Sequence, residues 1–342
     1  SVDNRPKWIV AKPGVAAATA WGVVKVDNRW STFRIIDGEL SRVSRASPLE
    51  EGMLLPVLIE SESGDLDLWV NTVSRPPDLV LAAALSKIEN KPDASTVKGD
   101  GLLLYSFSGP TDRYPHGALG DLIEWTDLVV SSQDPLIEEV RFSLPTNEVF
   151  EGLYPLVADI NGDGTDEIVT TVSSVSSGAR LTVFGFDGVK LEIIAESKPI
   201  GSGFRWIHQI AVAPFGPDGE IEIAVVQTPH IGGIAQFYRH AGDKLELVAS
   251  KAGGYMSHVN GSRDLDQAVA GDFDGDGAVE LLVPSRDQQT LIALRRIGDS
   301  VEEVWELPLG SRLSSNLTVT ESADGHLTLG AATEDGILHI WQ

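Results

Sequence analysis

The chain has 342 residues, no cysteine and a formal net charge of −24, from 50 acidic against 26 basic side chains. Disulfide and thiol chemistry are therefore excluded, and the charge argues against nucleic acid and anionic membrane surfaces, which need clustered basic residues. A hydrophobic fraction of 42% supports a packed interior, no apolar run approaches the ~18–20 residues of a membrane span, and the length suits a ring of repeats better than one compact core.

In chain order, the opening Ser1-Val2-Asp3 carries no initiator Met and no signal peptide, which reads as a processed or trimmed product. Strands are expected at 21–26, 32–36 and 40–43, then at 53–59 and 66–70, with 101–107 as the third strand of that second repeat. Residues 76–99 insert within it, with helical spacing at Leu79, Ala82, Ala83 and Ser86. A short third repeat uses 127–130 and 138–142. From about residue 150 the periodicity sharpens. Equivalent turns begin at Asp159, Pro214, Asp272 and Thr320, spaced by roughly one four-stranded propeller blade. Third strands align at 180–184, 234–238, 290–294 and 337–341, and fourth strands at 190–194, 244–248 and 301–305. The fold expected is all-β: one domain over 1–342, built as a seven-bladed β-propeller, with six or eight blades as alternatives. The last repeat lacks an outer strand, and residues 8–10 are expected to supply it and hide the exposed edge.

Two of the turns carry a chemical pattern. Asp159-Ile-Asn161-Gly-Asp163-Gly-Thr165-Asp-Glu167 and Asp272-Phe-Asp274-Gly-Asp276-Gly-Ala278-Val-Glu280 place oxygen side chains at the first, third, fifth and ninth positions. Alternate residues of a tight glycine-containing loop converge on one point, where Ca²⁺ takes six to eight oxygens, the carbonyl of Thr165 or Ala278 included. Short apolar runs flank both loops in place of the helices of an EF-hand. The bland alternative is an Asp/Gly hairpin turn with no metal. Two other turns have lost ligands: the one at Pro214 keeps no side-chain oxygen at its first and third positions, and the one at Thr320 is similarly degenerate. Neither is expected to bind metal.

On these loops and their flanking strands the sequence resembles the FG-GAP/VCBS repeat family, calcium-loop β-propellers related to the integrin α-subunit head. The resemblance covers about residues 150–342 and departs from the usual pattern in having Glu167 and Glu280 at the ninth position, where Asp is commoner. It implies calcium as the bound ion and leans towards recognition as the role. Cytosolic free calcium is too low to fill weak loops of this kind, so the periplasm, the cell surface or the exterior is expected.

In an up-and-down blade the calcium loops lie on one face of the ring, and the connections between blades lie on the other. That second face is expected to gather Arg205, Trp206, His208, His230, Tyr255, His258, Asn260, Arg263 and Arg312, with Asn316 and, from earlier connections, Tyr114, His116, Glu151 and Tyr154. The 76–99 insertion is expected to rise beside them as a partial lid. Each residue alone has a structural reading, as a loop-pinning ion pair, a backbone hydrogen bond or a core cap. As a group they predict a ligand surface, because binding residues concentrate on loops held by a rigid scaffold. No zinc spacing, nucleophile elbow or phosphate loop occurs. The leading expectation is an exported, calcium-stabilised propeller that binds a glycan, a small anionic ligand or a protein. The alternative is a polysaccharide lyase, with Arg205 or Arg263 neutralising a uronate, and His208 or His258 and Tyr255 moving protons. A purely structural subunit is the third possibility.

Overall fold

A computed structural model describes residues 103–321 and 327–341, apart from 133–137 and 336, and ahead of them the strands named below with Gly99. Among the described residues every regular element is a strand. The chain divides into two compact units, 1–93 with 320–328 and 342, and 94–319 with 329–341.

In the first unit β1 (Trp8–Ala11), β2 (Ala20–Val26), β3 (Arg29–Ile36) and β4 (Glu39–Arg42) form a four-stranded antiparallel sheet in sequence order. Next, β5 (Leu54–Glu60), β6 (Leu66–Thr72) and β7 (Ser86–Lys87) form a three-stranded one. Residues 8–10 were expected to complete the last repeat; instead β1 pairs with β2, Val10 opposite Trp21. Closing a loop of a few residues loses less chain entropy than closing one that spans nearly the whole chain, by about 3 kcal/mol. Of the expected 76–99 insertion, Ser86 and Lys87 do not end a helix but pair as a strand with Val70 and Trp69, and Val97 and Lys98 pair with Tyr105 and Leu104. Residues 76–85 and 88–96, and with them the rest of the expected helix and lid, lie outside the described residues.

The second unit begins with β8 (Val97–Lys98), β9 (Leu103–Thr111), β10 (Glu124–Ser132) and β11 (Val140–Ser143), again neighbours in sequence order. The run at 101–107 is therefore not the third strand of the second repeat. Its register, with Phe107 opposite Leu128 and Tyr105 opposite Val130, puts its apolar residues into one core with Phe150 and Phe184. Burying that aromatic surface against β10 decides the pairing. A short β12 (Val149–Phe150) then bridges β10 to the next sheet.

Three four-stranded meanders follow: β13 (Leu156–Ala158) to β16 (Leu191–Glu196) through β14 (Glu167–Ser174) and β15 (Gly178–Phe186); β17 (Ile207–Ala213), β18 (Glu222–Gln227), β19 (Ile234–Ala241) and β20 (Lys244–Ala252); and β21 (Val269–Gly271), β22 (Glu280–Pro284), β23 (Thr290–Ile297) and β24 (Ser300–Pro308). The chain ends in β25 (Thr318–Glu321), β26 (Leu327–Ala332) and β27 (Leu338–Trp341). The third and fourth strands fall where the sequence pattern placed them.

Side-chain alternation explains how these sheets stack. On β18, Ile223 and Val225 pack with Val169, Leu181 and Val183 of the preceding sheet, while Ala224 and Val226 pack with Leu281 and Val283 of the following one. On β22, Leu281 and Val283 face back and Leu282 faces forward to Leu329 and Ala331. Successive residues of a strand point to opposite faces, so a second strand that is apolar at every position is buried on both sides. Each such Leu or Val contributes about 1.5–3 kcal/mol. The fourth strands β16 and β24 instead alternate buried and exposed positions. Meander sheets stacked face to face, middle strands buried and outer strands wet, are the packing of propeller blades.

Gly178, at the β14–β15 turn, shows how closely the chain is packed. Its φ is +74°, and a Cβ there would lie 1.8 Å from the Gly201 carbonyl oxygen. Gly188 has a similar φ of +90° but open space around it. Gly188→Ala is expected to lose about 1–2 kcal/mol from left-handed strain alone, and Gly178→Ala distinctly more. Urea unfolding of both variants checks this; equal losses would show that the Gly201 approach is unimportant.

Candidate functional site

Three connections of the second unit and the start of one strand converge on one place. His208 is the second residue of β17, His230 lies in the β18–β19 turn, His258 in the β20–β21 connection and His116 in the β9–β10 connection. The His230 and His258 rings lie 4.3 Å apart edge to face, His208 and His258 5.2 Å, and Trp206 stands 4.6 Å from His258. His116 is close enough to act electrostatically on His230 and His258. The Ser257 hydroxyl lies 2.9 Å from Nδ1 of His208 and 3.1 Å from Nδ1 of His258. Nε2 of His230 and of His258 are buried without a hydrogen-bond partner.

Burial controls the charge of this cluster. Desolvation, reinforced by neighbouring imidazoles, lowers His208 to about 3 and His230 to about 4, and holds His258 well below the usual histidine range. At neutral pH these three rings are uncharged donors and acceptors. Beside them Glu151 contacts His116 Nδ1 and the Ser173 hydroxyl, while Glu124 accepts from the Gly152 amide at 3.3 Å. Both carboxyls are raised above the ordinary range, chiefly by burial; for Glu124 the Glu151 charge adds to it.

A segment not expected to do so covers this cluster. The β9–β10 connection carries Ala118 and Leu119, which pack on Trp206, Leu153 and Leu265. It is tied down by the Gly261 amide donating to the Ala118 carbonyl at 2.8 Å and by an Arg263–Asp121 ion pair. Its Tyr114 and His116 flank Phe204, with ring centroids 5.0 and 5.6 Å away and the His116 ring nearly parallel to it. Phe204 is 41% exposed and Ile231 70%, so an apolar aromatic surface lies open at this end of the cluster. In sequence Phe204 stood only as one more residue of a connection. The signal missed was its spacing two residues before Trp206 and four before His208.

The remaining expected ligand residues are placed differently. Tyr255 is fully buried in the core between two sheets, and its hydroxyl bonds Glu303 on β24. Asn260 is exposed. Each of the three arginines has a local partner: Arg205 donates to the Ser202 carbonyl at 3.1 Å, Arg263 pairs with Asp121, and Arg312 donates to Gln288 at 2.9 Å. Nearby, a cavity of ≈ 20 Å³ between Tyr154, His208, Gln209 and Asp266 has room for about one water. It adjoins a wider opening of ≈ 460 Å³ lined by Ile210, Val269, Asn316 and Val319, which shares Asp266.

The two calcium-type loops share one backbone design. In the first, Asp159 accepts amides from Gly162 through Gly164, Asp163 accepts the Thr165 amide at 2.8 Å, and Glu167 accepts the Ile160 amide at 3.0 Å. Among the described residues no lysine or arginine ion pair reaches Asp159, Asp163 or Glu167, although Glu167 is only 5% exposed. Burial, then the charges of Asp163 and Asp159, raise its pKa, and His240 is the basic group acting on it. An uncompensated set of oxygen donors of this kind fits a hard cation. In the second loop Asp272, Asp274 and Asp276 bring ligand oxygens within 4.8 Å of one another, but a guanidinium already stands among the carboxylates. Arg295 donates to Glu280 at 2.7 Å, to Asp276 at 2.7 Å and to Asp274 at 2.9 Å. That loop does not fit a further cation as it stands.

The fold and site together define an all-β protein built of propeller-type sheets with a shielded histidine cluster on one loop face. No family model and no curated protein matches the sequence. Among solved structures the chain is similar to BBS1N from its complex with ARL6DN, at 12% identity over 86% of this chain and 78% of that one, TM-score 0.46. It is similar also to a protein from Lactobacillus plantarum, at 16% identity over 84% and 80%, TM-score 0.44. A third is the rhamnogalacturonan lyase YesW, at 16% identity over 96% of this chain and 58% of the lyase, TM-score 0.45. At that distance the likenesses bear on neither site nor activity, and the description of the fold rests on the strand pairing and packing above.

The depressed histidines make stability depend on pH. His208 takes up a proton near 6.5 when unfolded but only near 3 when folded. The unfolded chain therefore binds more protons between those values, and stability present above about pH 6.5 falls as the pH drops through that window. His208→Asn should flatten the slope, by up to about 1.4 kcal/mol per pH unit between about pH 6.5 and pH 5. Urea denaturation across that range measures it, and parallel curves for the two proteins would contradict the buried neutral ring.

Proposed function

We propose that this chain is a recognition module: a seven-bladed, calcium-stabilised propeller, working in the periplasm, at the cell surface or outside the cell, that binds a neutral glycan at the histidine-cluster face. The observation that carries the reading is the convergence of His116, His208, His230 and His258 beside the open Phe204 ring. Sugar rings offer C–H faces that stack on an aromatic side chain, and hydroxyls that bond uncharged imidazoles. An anionic ligand would need cations, and each of the three arginines of this face is already partnered. The site is shielded by the β9–β10 connection, whose latch to Gly261 and Arg263 would have to loosen for a ligand to reach Trp206 or His258.

The chain's own residues would divide the work. Phe204 and His116 form the platform, the neutral rings orient hydroxyls, and Trp206 backs the cluster. In the first calcium-type loop, Asp159, Asn161, Asp163, Glu167 and the Thr165 carbonyl would hold the ion, whose role there is to clamp a hairpin. The lyase alternative is less well supported. Tyr255, named for its proton transfer, is directed to Glu303 in an inter-sheet core rather than to the imidazoles.

Isothermal titration against neutral and uronic-acid oligosaccharides tests this. Neutral oligosaccharides are expected to bind, and Phe204→Ala should weaken them about tenfold, the value of about 1.4 kcal/mol of aromatic contact. Binding of uronates alone, or ultraviolet-absorbing unsaturated products from them, would overturn the glycan-module reading in favour of the lyase.

A further inference from the structure

The two calcium-type loops have nearly the same ligand pattern but differ at one position across the sheet. The ninth residue of each loop opens the second strand of its sheet, and one residue of the third strand stands opposite. Ile168 faces Phe184 and Leu281 faces Leu294, so one step further Glu167 faces Gly185 and Glu280 faces Arg295. In the intervening sheet Ile223 faces Tyr238, which sets Glu222 against Arg239. That third loop has lost its first and third ligands, and there Arg239 pairs with both Glu220 and Glu222. The same cross-strand position thus carries no side chain in one sheet and a guanidinium in two.

We propose that Arg295 is a built-in cation that takes calcium's place in the second loop, so that its aspartates hold a guanidinium and only the first loop is open to a metal ion. The geometry is specific. The arginine spreads its nitrogens over Asp274, Asp276 and Glu280, using the carboxylate oxygens left over after Asp276 and Ala278 amides bond Asp274 and Asp276. Its side chain is 16% exposed and Glu280 is fully buried, so that pair is shielded from solvent screening, while the pairs to Asp274 and Asp276 lie at the surface. A calcium ion and a guanidinium cannot both neutralise these oxygens, and the tethered group has the advantage of high local concentration. Fixing one guanidinium also needs no external ion, so the hairpin at 272–280 stays closed at any calcium level. The calcium-responsive hairpin is then the one at 159–167, where Gly185 leaves the position opposite Glu167 empty.

The inference rests on the calcium reading only for the first loop, and the experiment separates the two. Calcium stoichiometry is measured by titration calorimetry on the full chain, with melting temperature in chelator and in calcium as a second readout. Wild type is expected to bind one ion, lost in Asp163→Ala and kept in Asp274→Ala. Arg295→Ala should bind two and melt lower than wild type in chelator, with the loss restored by calcium. Gly185→Arg should bind none; a Cβ there meets only the Ile194 side chain, its Cγ2 at 3.1 Å and its Cδ1 at 3.8 Å. Should Arg295→Ala fail to fold, Arg295→Gln replaces it, with the same gain expected. Wild type binding two ions, one of them removed by Asp274→Ala, would overturn the proposal, as would an arginine variant that gains none. A change from none to one in the arginine variant, with Asp163→Ala silent, would sink calcium at the first loop and leave Arg295's role standing.

Discussion

Three buried carboxylates set the terms for this structure. Glu167, Glu222 and Glu280 each open the second strand of a sheet, and each is between 0 and 5% exposed. Those second strands, β14, β18 and β22, are buried at nearly every position and carry contacts that stack one sheet on the next. A carboxylate at the mouth of such a strand costs several kcal/mol if left ionised and unpaired. The chain answers differently in each sheet. Glu222 lies between Arg239 and Arg296, Glu280 accepts Arg295, and Glu167 accepts the Ile160 backbone amide and the Asn161 side-chain amide within a set of oxygen donors. Opposite Glu167 and Glu280 the cross-strand residue is glycine in one sheet and arginine in the other, and that residue changes which partner the loop needs.

The stack also explains how distant residues meet. Face-to-face sheets hold the ends of their strands in fixed relation, so connections separated by tens of residues open into the same space. His208 comes from the start of β17, His230 from the β18–β19 turn of the same sheet, His258 from the connection to the next sheet, and His116 from the β9–β10 connection. Their burial strips them of charge, whereas the arginines of the same face stay in the wet rim and pair locally. A site assembled this way is polar without being cationic, despite a sequence count that suggested otherwise. The nearby carboxyls Glu124 and Glu151 obey the same rule, since burial pushes both towards their protonated forms.

Packing also decided which loop lies over the site. Ala118 and Leu119 follow Tyr114 and His116 in a segment of modest hydrophobicity, and nothing in its sequence marks it as a cover. It acts as one because its small residues let backbones approach. A Cβ on Gly120 would come within 2.8 Å of the Gly261 carbonyl oxygen, and Gly120 has a φ of +94°. The same close approach places Leu119 against Trp206 and Leu265.

The sequence by itself determined the all-β class and the strands from residue 150 onward, because alternating apolar runs and Asp-Gly turns are local signals that tertiary context had only to confirm. It showed too that four histidines belong at or beside turns and connections expected on one face, and that two loops carry oxygen donors at alternate positions. Only the tertiary structure decided that residues 8–11 pair with 20–23, and that 103–111 joins 124–132, since both choices depend on loop closure and on which aromatic surfaces meet. It alone turned the Tyr255 hydroxyl to Glu303, gave each arginine of the face a local partner and set Arg295 among the second loop's carboxylates. Those outcomes turn on cross-strand register and on burial, which depend on residues far apart in the chain and leave no trace in the spacing of neighbours.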